Sequence, residues 1–176
     1  MVTTAKSSTG KAQRSRRTRR TGRRDPVAVT LLKKDHREVE GWFDEYEQLE
    51  ADAEKFALFN RIALALKVHS QLEEEIFYPE ERGDVEDDML DEAYVEHAGA
   101  KKLIAEIEAM KPSDDFYDAK VKVLGEYIKH HVKEEEQPGG LFAQAKRGDE
   151  DLDAMGERLK ARKDELMAQM EGRKTN

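Results

Sequence analysis

Four stretches of this chain carry apolar residues at alternating spacings of three and four, and each is bounded by residues that cannot continue a helix. The stripes are Val29, Leu32, Val39 and Phe43; then Phe59, Ile62, Leu66 and Ile76; then Leu90, Tyr94 and Ile104; then Tyr117, Val121, Leu124 and Ile128. Asp25 before Pro26 opens the first helix, which is predicted to run to about Glu50. Asp52 caps the second, which runs to about Arg82 with Gly83 at a left-handed stop. Asp84 caps the third, which ends before Pro112, and Ser113 caps the fourth, which ends near Gln137 ahead of Pro138, Gly139 and Gly140. A fifth amphipathic segment with Leu152, Met155, Leu159, Leu166 and Met170 is predicted to pack back across the others. Connections of a few residues force antiparallel neighbours, so the chain is expected to be all-α, an up-down-up-down four-helix bundle with an additional C-terminal helix.

Each of the four stripes is interrupted by one histidine: His36, His69, His97 and His131. In the second and fourth helices the same stripe carries a glutamate four residues on, Glu73 and Glu135. Counted from the first and third turns, the histidines lie about 15, 17, 15 and 18 residues along their helices, within roughly 5 Å of one height at 1.5 Å per residue. They form one layer, and the spacings His36 to His69 and His97 to His131, 33 and 34 residues, make a repeat of halves. The glutamates lie a turn beyond, so they reach the layer by an unusual side-chain direction or the site extends by a turn. A two-metal site several ångströms long fits that spread. A lone histidine on an apolar stripe is ordinarily a core residue, but burying four imidazoles and two carboxylates together costs several kcal/mol without charge compensation. A pair of dications supplies it, and imidazole with carboxylate is the donor set that holds iron or a similar metal in a bundle. His130 falls on the neighbouring face.

The absence of cysteine removes disulfides, thiolate zinc sites and thiol catalysis, so metal chemistry must run on nitrogen and oxygen ligands. No apolar run approaches a membrane span and the first residues lack the apolar stretch of a secretory signal, so the protein is expected in the cytoplasm, with no membrane partner. Charge divides sharply along the chain. Nine of its 31 Lys and Arg stand in residues 1–24, which hold no acid, and the remaining 152 residues set 22 cations against all 39 acids. Residues 1–24 are expected to form a disordered basic arm, residues 25–145 the bundle and residues 146–176 the amphipathic helix on it. The arm reads as a solvated tail, with nucleic-acid phosphates or an acidic partner as the alternatives.

The run His36, then His69-Ser70-Gln71-Leu72-Glu73 leading into Glu74-Glu75-Ile76-Phe77-Tyr78-Pro79, then Glu96-His97, then His130-His131-Val132-Lys133-Glu134-Glu135-Glu136 resembles the hemerythrin-like HHE cation-binding domain, over about residues 26–145. The resemblance implies a four-helix bundle around a non-haem di-iron centre, with His36, His69, Glu73, His97, His131 and Glu135 as ligands and the two glutamates bridging both irons. Oxygen-carrying members of that family have a second histidine one turn after the third-helix ligand. Lys101 stands there in this chain, which leaves four histidines and argues against simple oxygen carriage.

If each iron takes two histidines, two bridging carboxylate oxygens and a solvent-derived oxo or hydroxo bridge, an octahedral ion keeps one open position. The function expected from the resemblance is binding of, or reaction with, oxygen, peroxide or nitric oxide in stress defence or sensing. The alternatives are a catalase-like or peroxidase-like enzyme, an iron-handling or iron–sulfur repair protein, and a DNA-associated protective protein using the arm. Iron is preferred over manganese or zinc, although histidine and carboxylate suit all three to differing degrees. Lys101 is read as reaching to solvent and Tyr94 as a core aromatic, each with a role at the site as the alternative. Glu74, Glu75, Glu134 and Glu136 read as solvated faces, and Pro79 is expected to bend or end the second helix and open that end of the bundle. Trp42, Phe43 and Tyr46 are expected to close the bundle below the metal layer.

Overall fold

The computed structural model describes residues 24–174. Its long helices are α1 (Val27–Tyr46), α2 (Asp52–Leu72), α3 (Asp87–Glu108), α4 (Tyr117–Glu136) and α6 (Leu152–Lys174), with a short α5 (Leu141–Ala145) before the last. α2 runs on through a π-helical segment, Glu73–Phe77, and one further turn, Tyr78–Glu80. The described residues form no strand, only an isolated bridge between Arg82 and Val85. None of the described helices is long and apolar enough to cross a membrane. The expected bundle with its extra C-terminal helix is present; the basic arm lies, save for Arg24, outside the described residues.

Several helix ends differ from their expected places because the capping acids act over long range. Asp25 does not cap α1: Pro26 holds that position, and the Val27 N–H donates at 2.8 Å to Asp153 Oδ1 of α6. The Asp25 carboxylate instead joins Lys33 and Lys146, each at 3.0 Å. Asp84 does not cap α3, whose cap position is Glu86; it accepts the Asp149 N–H at 2.8 Å. Asp52 lies inside α2 after Ala51, where it and Glu54 favour the positive helix end. The turn before α4 is closed by Asp114 accepting the Lys111 N–H at 2.8 Å, rather than by Ser113, and Phe116 takes a left-handed φ of 69°. α1 stops at Tyr46, not Glu50, where hydrogen bonds of the three-residue type tighten the chain into its turn. Gly83, at φ 104°, makes the expected left-handed stop.

Pro79 explains the irregular stretch. A proline in an α-helix removes one hydrogen bond and presses on the carbonyl four residues back. Here the ladder widens just before it, and the Tyr78 N–H reaches the Glu73 carbonyl five residues back. The helix therefore continues past Glu73, and the bundle end is not opened: Phe142 of α5 and Phe77 pack edge to face over it, with ring centroids 5.6 Å apart.

Two apolar clusters sandwich the histidine layer. One holds Phe43, Tyr46, Phe59, Ile104 and Leu124 at the first-turn end, with Trp42 packed against it. The other holds Val29, Leu32, Leu72, Phe77, Leu90 and Phe142 together with Leu152, Met155, Leu159 and Leu166 of α6. α6 packs along α1 and α2, so it is part of the core.

Glu81, just past the end of the α2 extension, is fully buried and neither carboxylate oxygen has a hydrogen-bond partner. Burial, then the charges of Asp84, Glu150 and Glu80, push its pKa up to about 7 from an ordinary 4.5. The unfolded chain therefore ionises first, and stability present below about pH 4.5 is lost as the pH rises towards 7. Glu81→Gln is expected to match the parent in unfolding free energy near pH 4.5, measured in urea, and to exceed it near pH 8 by about 3 kcal/mol. Equal midpoints near pH 8 would contradict the assignment.

Candidate metal centre

The histidine layer is assembled from all four bundle helices, with His36 on α1, His69 on α2, His97 on α3 and His131 on α4, all buried. They meet in two pairs: His36 Nε2 lies 3.0 Å from His69 Nε2, and His97 Nε2 lies 3.2 Å from His131 Nε2. Each glutamate spans both pairs. Glu73 Oε2 is 3.2 Å from His69 Nε2 and 3.3 Å from His97 Nε2. Glu135 is 3.3 Å from His36 through Oε2 and 3.7 Å from His131 through Oε1. The turn of separation foreseen between glutamate and histidine is thus closed by the side chains.

Outside the layer, each histidine backs onto a carboxylate. Glu136 lies 2.8 Å from His36 Nδ1, Glu74 lies 3.1 Å from His97 Nδ1, and Glu96 lies 2.7 Å from His131 Nδ1. Asp35 stands 3.7 Å from His69 Nδ1, too far for a hydrogen bond, and gives its other oxygen to Lys163 of α6 at 2.5 Å. The outer carboxylates have cations of their own: Arg37 on Glu136 and Lys101 on Glu74, the latter at 2.6 and 2.7 Å. Glu74 and Glu136 are therefore not the free solvated residues the sequence suggests, whereas Glu75 is an exposed partner of Arg162.

This arrangement fits a cation. His97 and His131 each donate from Nδ1 to a carboxylate and so present lone pairs at Nε2, which facing at 3.2 Å repel unless positive charge lies between them. Glu73 Oε1 and Glu135 Oε2 are buried with no hydrogen-bond partner, as metal-ligating oxygens would be. Without a metal the layer draws protons instead. Burial works against charge on His69, but the Glu73 carboxylate overrides it and raises the pKa to about 10. For His97, burial is likewise overridden, by Glu73 and Glu74, to about 9. Glu73 itself is held well below the usual carboxylate range, its burial outweighed by His69.

Tyr78 is a site residue that sequence reasoning missed. Its hydroxyl donates to Glu135 Oε1 at 3.0 Å and lies 3.2 Å from Glu73 Oε2 and 3.4 Å from His97 Nε2. Burial, then the charges of Glu135 and Glu73, hold its pKa far above the ordinary value, so it stays neutral and remains a donor. Tyr94 is more remote, its hydroxyl 3.4 Å from the Glu74 carbonyl oxygen. His130 is exposed, as its face implied. Phe142 stacks on the His36 ring at 5.8 Å.

On the first-turn side, a cavity of about 20 Å³ is bounded by the four histidines and by Val39, Leu66, Ile104 and Ile128, with Lys101 in its wall. That volume takes about one water or a diatomic molecule.

The model of the family described as the hemerythrin HHE cation binding domain matches residues 27–145. A DNA nickase from Nostoc sp. is 27% identical over 147 residues, covering 82% of this chain and 41% of its own length, so the chain spans about two fifths of that relative. The crystal structure of a hemerythrin HHE cation binding domain-containing protein from Mycobacterium kansasii matches with a TM-score of 0.68 at 21% identity, over 81% of this chain and 88% of that one. That likeness is one of fold.

Proposed function

The chain belongs to the hemerythrin HHE cation-binding domain family, and from that premise we propose that it holds two iron ions through His36, His69, Glu73, His97, His131 and Glu135 and binds or reacts with oxygen, peroxide or nitric oxide in cytoplasmic stress defence or sensing. The observation that carries this reading is the pairing of four inward imidazoles by two carboxylates beside a cavity of diatomic size. Iron bound there would supply one-electron redox chemistry, while manganese and zinc suit the same donors to differing degrees.

The chain's own residues hold the donors and shape access. Three outer carboxylates fix the histidine tautomers through Nδ1. Val39, Leu66, Ile104 and Ile128 keep the cavity apolar and exclude bulk water. Lys101 in its wall attracts anions rather than metal cations, while its bond to Glu74 steadies His97. Tyr78 holds a proton against Glu135 on the opposite side of the layer.

Metal analysis of aerobically purified protein is expected to give about two irons per chain, with visible bands that respond to peroxide and to azide and are diminished in His69→Ala. A protein that is metal-free or holds only zinc, and that cannot be reconstituted with ferrous iron, would overturn the reading.

Residues 1–24 and the relative named as a DNA nickase favour a second reading, contact with DNA. The nine cations of residues 1–24 make the arm the expected place of such contact. A salt-sensitive mobility shift lost on deletion of residues 1–24 would support it. No shift at low salt would end it.

A further inference from the structure

The metal layer has a second approach, opposite in character to the apolar cavity. Between α3 and α4 a cavity of about 120 Å³ is lined by Glu92, Glu96, Glu134, Glu135 and His131, with Leu141 of α5 also in its wall. Its residues grade inward from half-exposed Glu134 to Glu135, which is 2% exposed and keeps Oε2 without a hydrogen-bond partner. Beside the outer residues stands exposed His130, whose Nε2 is 3.2 Å from Glu134 Oε1 and 3.7 Å from Glu96 Oε1. Glu96, His130 and Glu134 thus place one donor atom each within 4.8 Å of one another. Glu96 belongs to both ends: while Oε1 faces His130, Oε2 lies 2.7 Å from His131 Nδ1.

We propose that Glu96, His130 and Glu134 form a surface loading site for a divalent transition-metal ion, which then passes through the acidic cavity to Glu135 and His131. The inference rests on the metal-holding reading above and adds the route by which the ion arrives. One imidazole with two carboxylates selects ferrous iron, manganese or zinc over calcium and magnesium, which prefer all-oxygen surroundings. A hydrated dication must exchange its water for protein oxygens, and a cavity with room for several waters, lined by carboxylates, permits that exchange stepwise. Glu135, whose Oε1 lies 3.7 Å from His131 Nε2 and whose partnerless Oε2 lies 3.3 Å from His36 Nε2, then receives the ion at the inner end. The apolar cavity is a poor alternative, since it offers no carboxylate beyond Asp35 and carries the Lys101 ammonium in its wall. Metal and small oxidant therefore reach the layer from different sides.

The test follows ferrous ion uptake by metal-free full-length protein under anaerobic conditions, mixed rapidly and stopped with a chelator. In His130→Ala/Glu134→Gln, final stoichiometry is expected to equal that of the parent while uptake slows by about tenfold or more, the size of effect that local charge exerts on association. Glu126→Gln, which removes one exposed acid elsewhere on α4, should load at the parent rate and so separates a local site from net charge. Parent-like uptake by the double variant overturns the proposal. Reduced final stoichiometry also overturns it, by making these residues supports of the buried centre. Failure of the parent to bind ferrous ion would instead defeat the metal reading itself.

Discussion

A chain cut after Gly148 is expected to lose cooperative unfolding, although every residue of the family match is retained. The cut removes Leu152, Met155, Leu159 and Leu166, all at most 6% exposed and all in the cluster that covers one side of the metal layer. Full burial of such side chains contributes about 1.5–3 kcal/mol each, so the four together supply roughly 6–12 kcal/mol. That approaches the whole stability of an ordinary domain, about 5–15 kcal/mol. The cut also leaves the Val27 N–H without Asp153 and the Asp35 carboxylate without Lys163. Circular dichroism should show a broad, shallow melt with much helix retained. A sharp melt within a few degrees of the full-length protein would refute this account of α6. Gly156→Ala gives a graded version: its Cβ would stand 2.6 Å from the Ala28 backbone nitrogen, and overpacking of this kind costs about 1–3 kcal/mol.

The stripes and the six inward donors could be read from sequence because a helical stripe is local information, repeating about every 3.6 residues whatever the neighbours do. His36, His69, His97 and His131 each continue such a stripe, and antiparallel connection alone brings them to one level. Tyr78 was hidden by the same rule. Five residues after Glu73, it falls about 140° off the stripe in a regular α-helix, and the wide turn before Pro79 brings it back. Proline after a run of glutamates was a visible sign of irregular winding, but not of its form. The outer carboxylates were obscure for another reason. Asp35, Glu74, Glu96 and Glu136 sit next to stripe residues and look like solvated acids until a neighbouring helix puts an imidazole or a lysine against them. Asp25 and Asp84 were misread as caps because a capping pattern does not reveal a competing partner more than 60 residues away.

Loss of a bridging carboxylate should harm metal binding more than loss of a histidine. Glu73 contacts one member of each histidine pair, so on the proposed two-metal reading Glu73→Ala would withdraw a donor from both metal positions at once. His36 lies with His69 in one pair, and His36→Ala withdraws a donor from that position alone. After exhaustive desalting, the expected content is about two metals per chain in the parent, about one in His36→Ala and close to none in Glu73→Ala. The thermal shift on adding metal should follow the same order. A site saturated a thousandfold above its dissociation constant adds about 4 kcal/mol, which for a chain of this size raises the melting temperature by roughly 8–16 °C. Glu73→Ala should lose that shift, and its metal-free form should melt below the metal-free parent, since His69 and His97 lose the carboxylate that faces both. If Glu73→Ala retained two tightly held metals, the carboxylate would be a neighbour of the centre rather than a bridge across it, and the two histidine pairs would have to bind independently.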